Sequence, residues 1–239
     1  MLESEKSIAL LRLSAGISHD LNNIFMVIGG NLSMMKELWP MPNETNEAVG
    51  DMLLSVKRGI ELSKKLQTYA GRQVLHPENI DLGQMINDTI DTLRSTVLEN
   101  IKIEVTLSRS ACMARIDPEY MRYALIELLT NARQAIVTPG VIKIMLKQCR
   151  NPGDILTNFA ELKRNFLCIS INDNGTGMSP EVLACAQDPL FTTKSNRTTR
   201  TGWGLSIVTG FLRQSGGDLV LGNSKLGGVC ADVYLPIAE

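Results

Sequence analysis

Four short stretches of this 239-residue chain hold residues able to do chemistry at helical or turn spacing. The first is Ser18-His19-Asp20-Leu21-Asn22-Asn23. A neutral imidazole with one ring nitrogen held as a donor leaves the other to attack an electrophile near neutral pH. Asp20 can orient that ring and stabilise the positive charge that develops on it. Asn23 follows His19 by four residues and shares its helix face, where an amide can hold an attacking water. Taken alone, the hexapeptide reads equally well as a solvated histidine beside a surface acid. The second stretch is Glu127-Leu128-Leu129-Thr130-Asn131-Ala132. Its carboxylate and amide are also four apart, and together they can coordinate Mg²⁺ or position a water. Ordinary helices contain such a pair by chance.

The third stretch, Asp173-Asn174-Gly175-Thr176-Gly177-Met178, follows an apolar run. Two glycines let the backbone turn sharply and approach a flat ligand. Asp173 at the strand end is placed to accept a hydrogen bond from an exocyclic amine, although a simple turn has the same composition. The fourth runs from Asp188 to Lys194 and resumes at Gly202-Trp203-Gly204-Leu205-Ser206-Ile207-Val208. A glycine-rich step that opens a helix offers amide groups and a dipole that favour phosphate. The intervening S-N-R-T-T-R-T is polar and lacks apolar anchors, which gives it the makings of a lid.

These residues need elements to hold them. From about Ser4 to Leu38 apolar residues recur at three- and four-residue steps: Leu10, Leu13, Ile17, Leu21, Ile24, Ile28, Leu32 and Met35. That spacing predicts a long amphipathic helix. Two prolines in W-P-M-P-N-E-T-N break it, and a second helix is expected from about Glu47 to Ala70. Such a hairpin leaves an apolar stripe on each helix; pairing two hairpins into a four-helix bundle buries them, so a homodimer is expected, with packing of the hairpin against the rest of the chain as the alternative. After Gly71 the pattern changes. Strand-like runs at Ile101–Leu107, Val141–Leu146, Phe166–Ile171, Asp218–Leu221 and Val229–Leu235 alternate with helical patterns at Leu82–Leu98, Pro118–Val137 and Gly204–Gln214. The polar stretch Gln148–Lys163 reads as a surface loop. The fold class is α+β, a sheet covered by helices.

Composition narrows the function. Lys and Arg total 24 against 25 Asp and Glu, so no basic excess points to nucleic acid or to a membrane surface. The N-terminus is polar, and no apolar stretch approaches the roughly 20 residues needed to span a bilayer. A cytoplasmic location is expected. Five dispersed cysteines and two histidines do not make a zinc site, and buried reduced thiols are expected. Metal chemistry would then use oxygen ligands.

In chain order the helical histidine motif, E-x-x-x-N-A, D-x-G-x-G, F-T-T-K and G-x-G-L-S-I-V resemble the conserved regions of bacterial two-component sensor histidine kinases. The resemblance runs from about Ile8 to Pro236. It implies a dimerisation and histidine-phosphotransfer hairpin over residues 1–72, then a Bergerat-type ATP-binding α/β sandwich over 73–239. It also implies that His19 is the phosphoacceptor, Asp20 its acid/base partner, and Asn23 a residue that helps remove phosphate from a response regulator. Asn131 matches the Mg²⁺-binding asparagine and Asp173 the adenine-binding aspartate, with Gly175 and Gly177 turning beneath the base. Lys194 and the backbone of Gly202, Gly204 and Leu205 match phosphate contacts. ATP and Mg²⁺ are the cofactors implied, and the receiver domain of a response regulator is the partner.

The chain departs from the commonest family pattern at Glu127, where an asparagine is more usual, at Leu190 and at Trp203. A carboxylate at Glu127 can still serve Mg²⁺ or act as a base. No sensory segment is recognisable, so input is expected from another protein or from a domain outside this sequence. Two other readings remain: a histidine phosphotransfer protein with a degenerate ATP domain, and an ATPase that does not use His19.

Overall fold

This computed structural model describes residues 21, 23–69, 74–94, 97–98, 100–108, 112–137, 139–150, 165–189, 191–193 and 202–238. The first twenty residues of the chain, which include His19, Asp20 and the start of the expected helix, lie outside the described residues. So do Leu190, Lys194 and most of the expected loop and lid. The chain divides into two compact units, Met1–Gln73 and Val74–Glu239.

In the first unit, helix α1 (residues 23–38) and helix α2 (Asn43–Tyr69) form an antiparallel hairpin. The prolines Pro40 and Pro42 separate them, because proline cannot supply the amide hydrogen that a continuing helix needs. Small residues set the approach of the two helices. A Cβ on Gly59 would come within 2.5 Å of the Phe25 ring, and one on Gly29 within 3.2 Å of Val56 Cγ1. The half-buried positions Leu21, Phe25, Gly29 and Leu32 mark the face of α1 turned to α2. Ile24, Val27, Ile28, Met35 and Leu38 on the rest of α1 stay exposed.

The second unit begins with strand β1 (Glu78–Asp81), which leads directly into helix α3 (Leu82–Arg94). Strand β2 (Ile101–Leu107) and strand β3 (Met113–Ile116) follow, then helix α4 (Pro118–Ala135) and strand β4 (Gly140–Arg150). Strand β5 (Asn165–Asp173), the short helix α5 (Pro180–Cys185), helix α6 (Gly204–Gln214), strand β6 (Asp218–Asn223) and strand β7 (Val229–Pro236) complete it. The main sheet has the order β2-β4-β5-β7-β6, with β2 and β4 parallel and the other neighbours antiparallel. β1 and β3 pair separately as a two-stranded ribbon.

Alternation along β4 shows which face the helices cover. Ile142, Ile144 and Leu146 are buried, whereas Lys143, Met145 and Lys147 are exposed. Leu167, Ile169 and Ile171 of β5 join them in one apolar cluster with Leu125, Leu128 and Leu129 of α4 and Val208, Phe211 and Leu212 of α6. β5 is the middle strand, and its run Phe166–Ile169 is buried on both faces. The ribbon strands β1 and β3 and helix α5 escaped the pattern reading. Each is six residues or fewer, too short to display a period. β4 runs on to Arg150, beyond the expected strand end at Leu146, because Gln148, Cys149 and Arg150 still find ladder partners in Leu167, Phe166 and Asn165.

Asp117 joins several of these pieces. Its Oδ1 accepts from the amides of Glu119 (3.0 Å) and Tyr120 (3.2 Å), capping α4 ahead of Pro118. Its Oδ2 accepts from the amide of His76 (2.9 Å), which ties the chain entering the second unit to α4. Asp117→Ala should therefore cost about 2 kcal/mol, a cap plus one long-range bond. Urea denaturation followed by circular dichroism should show a lower midpoint with an unchanged slope.

Candidate nucleotide site

The site is assembled where the C-terminal end of β5 meets the middle of α4 and the start of α6. Asp173 is the last residue of β5 and only 3 % exposed. Its Oδ1 accepts from the amides of Gly175 (2.8 Å) and Val229 (3.2 Å), and Oδ2 has no bond among the described residues. Burial holds the carboxyl above its ordinary range, and the two amide bonds only partly oppose this. A carboxylate with one oxygen fastened and the other turned elsewhere suits an amine donor such as the exocyclic nitrogen of a purine.

Glycines make room around it. A Cβ on Gly228 would fall on Asp173 Oδ1 and lie 2.5 Å from the amide nitrogen of Gly175. A Cβ on Gly175 would come within 2.6 Å of the carbonyl oxygen of Ala135, at the C-terminal end of α4. Thr176 donates its amide to that same carbonyl at 3.1 Å, so the D-N-G turn is bonded to α4. Asn174 fixes the other side of the turn, accepting from the Val141 amide at 2.8 Å. Gly177 has φ +69°, a conformation that favours glycine, and next to it Met178 donates its amide to Asn223 Oδ1 at 3.2 Å.

One and two turns before Ala135, α4 presents Asn131 and Glu127. Asn131 Nδ2 donates to Glu127 Oε1 at 3.4 Å, so the two groups share a face. The Glu127 carboxylate lies against Gly204, the first residue of α6, where a Cβ would strike its Oε1. Tyr123, one turn earlier, has its hydroxyl pushed up to about 12, first by burial and then by the negative charge of Glu127. It therefore keeps its proton through the neutral range.

α6 starts without a side-chain cap. Trp203 precedes it, and the Trp203 carbonyl accepts from the Ile207 amide (3.0 Å) and the Ser206 hydroxyl (2.9 Å). Gly202 is at φ +69°. Uncapped amides at a helix start bind anions, phosphates above all. A carboxylate for an amine, a glycine cradle and a phosphate-seeking helix end fit a nucleotide. The oxygen-bearing side chains Glu127 and Asn131 fit a hard divalent cation such as Mg²⁺. Among the described residues no group of three or more His, Cys, Asp or Glu side chains could hold a metal ion.

A family model described as "Histidine kinase-, DNA gyrase B-, and HSP90-like ATPase" matches residues 116–239, just over half of the chain. The chain belongs to this family. It is also 25 % identical over 237 residues to the sensor kinase CckA of Brucella abortus, covering 99 % of this chain and 25 % of that protein. To the sensor histidine kinase ZraS of Klebsiella oxytoca it is 26 % identical over 234 residues, covering 98 % of this chain and 47 % of the relative. The chain thus spans a quarter to a half of the length of these relatives. Among solved structures, full-length ShkA in complex with AMPPNP matches with a TM-score of 0.60 at 18 % identity, over 95 % of this chain and 45 % of that one. The resemblance carried by the ordered motifs is borne out, and the second unit has the Bergerat-type α/β fold of this ATPase family.

Of the residues expected in the site, the structure brings Glu127, Asn131, Asp173, Gly175 and Gly204 into one connected arrangement through α4. Gly177 lies at the far side of the turn, against Asn223 and Gly227. Leu205 packs on the main apolar cluster, so any ligand contact it makes falls to its backbone. Asn23 belongs to the first unit. Gly228, Asn223 and the Ala135 carbonyl were not singled out in the sequence. The Gly227-Gly228 pair just before a strand was the available signal for the first.

Because burial raises the Asp173 carboxyl, its ionisation disfavours the folded state. The stability that its protonated form contributes is complete below the unfolded carboxylate range and is lost as pH rises through the native value. Asp173→Asn keeps an acceptor oxygen for Gly175 and Val229 without the charge. Its melting temperature relative to the parent chain should rise between pH 4 and pH 7, while affinity for ATP should fall by at least tenfold. Calorimetry in both modes measures the pair.

Proposed function

We propose that this chain is the catalytic core of a protein-histidine kinase that uses ATP to phosphorylate His19 and then passes the phosphate to an aspartate of a separate response regulator. The observation that supports this most is Asp173, a buried carboxylate held on one oxygen inside a glycine cradle and linked through α4 to Asn131 and Glu127. The similarity to sensor kinases along nearly the whole chain extends the reading to the hairpin.

In this reading Asp173 accepts from the adenine amine, Gly175 and Gly177 turn beneath the base, and the backbone of Gly202, Gly204 and Leu205 together with Lys194 takes the phosphates. Asn131 and Glu127 would hold Mg²⁺, which neutralises charge on the phosphate oxygens when bound. A His19 ring nitrogen attacks the γ-phosphorus, the bond to the bridging oxygen breaks, and ADP leaves with its electron pair. Asp20 holds the opposite ring N–H and balances the imidazolium. The work of the protein is alignment of these groups. Asn23 then serves the reverse activity, holding the water that removes phosphate from the regulator.

The exposed Ile24, Val27, Ile28, Met35 and Leu38 of α1 supply the apolar face for a second copy, giving a homodimer with a four-helix bundle. The surface around Met26–Gly30 and the facing part of α2 is the docking site for the receiver domain. A cytoplasmic location is part of this proposal; no described helix is long and apolar enough to cross a membrane.

Incubation with γ-labelled ATP should attach label that survives alkali and is lost in acid, and His19→Gln should carry none. Label persisting in that variant would sink the proposal. Steady release of free phosphate without labelling would favour the plain ATPase, and no ATP binding the phosphotransfer protein. Light scattering should give a dimer, converted to monomer by Ile28→Glu.

A further inference from the structure

Trp203 stands where this family more often has a small or aliphatic side chain, and nothing in the nucleotide reading so far uses its indole. It is 3 % exposed, and among the described residues its Nε1 has no hydrogen-bond partner. It is not among the side chains of the main apolar cluster, which includes its neighbours Leu205 and Val208. Its position is between Gly202, at φ +69°, and Gly204, whose Cα abuts the Glu127 carboxylate.

A buried donor without a partner is costly, and nearly every such group in a folded protein has one. Phenylalanine would fill similar space without that cost. A tryptophan here therefore calls for an acceptor that arrives from outside the chain. Among the described residues no acceptor reaches it; the Trp203 carbonyl itself is taken up by Ile207 and Ser206, and α6 begins without a side-chain cap. An anion drawn to the uncapped amides of Gly204, Leu205 and Ser206 would bring charged oxygens to the residue immediately before them. Such acceptors make the stronger class of hydrogen bond, and a site screened from water does not weaken it. The flanking glycines give the turn the freedom to adjust as the ligand enters.

We propose that the Trp203 indole N–H donates to a phosphate oxygen of the bound nucleotide, making Trp203 a binding residue that selects phosphorylated ligands over nucleosides. This rests on the nucleotide reading of the site. It adds a side-chain contact to the backbone contacts of the glycine loop.

The test compares the full chain with Trp203→Phe, which keeps a ring and removes the donor. Mg²⁺-ATP is titrated by calorimetry, adenosine by ligand-observed NMR, and melting temperature is measured without ligand. The expected result is a loss of about tenfold in ATP affinity, adenosine affinity within twofold, and an unchanged or higher melting temperature. The chain has two tryptophans, so in a Trp39→Phe background Trp203 is the sole emitter. Its fluorescence should change on adding ATP and stay constant with adenosine. Equal ATP affinity for the parent chain and Trp203→Phe overturns the inference. An equal loss for ATP and adenosine also overturns it, since that is the mark of ring packing. A parent chain that binds no ATP would instead overturn the nucleotide reading, and this inference with it.

Discussion

Burying a carboxylate at the end of the central strand is the constraint on which the second unit turns. Asp173 gives up hydration, which disfavours its charged form, and regains only two amide bonds on one oxygen. Those amides come from two segments, one from the turn that follows β5 and one from the start of β7. Holding both requires Gly228 and Gly175 to lie closer to their neighbours than any side chain permits. The strand order β5-β7 and the glycines are therefore parts of one arrangement, in which the polar group left at the sheet end is available to a ligand.

α4 transmits that arrangement along its length. Its C-terminal carbonyl at Ala135 takes the Thr176 amide, its middle turns offer Asn131 and Glu127, and its N-terminus is capped by Asp117. Its apolar face, through Leu125, Leu128 and Leu129, is fused to the core. A rigid helix with one face buried and the other carrying donors and acceptors at four-residue steps sets the distances in the site more firmly than loops would. Gly204 closes the set by letting α6 begin directly on the Glu127 carboxylate.

The two units obey different physics. The second encloses its own apolar core, as a sheet covered on one face can. The hairpin cannot, since two helices bury one stripe each and leave a second stripe in water. Phe25 over Gly59 and Gly29 against Val56 bring the helices close, yet Ile24, Val27, Ile28 and Leu38 remain outside that contact.

The long periodic segments were legible in the sequence. The strand Ile101–Leu107 and the helix Gly204–Gln214 have the bounds that their patterns indicate. The order of the motifs was likewise enough to indicate the family. Short elements such as β1, β3 and α5 were not legible, since pairing and packing from elsewhere in the chain hold them. Nor was the role of Gly228, which follows from its distance to a residue 55 positions earlier, Asp173. The sequence by itself determined which chemical groups are present and which helices and strands carry them. Only the tertiary structure decided that Asp173 is buried, that Glu127 meets the start of α6 and that the Trp203 indole has no acceptor among the described residues. Burial and contact across distant segments are properties of the packed chain, and no local pattern encodes them.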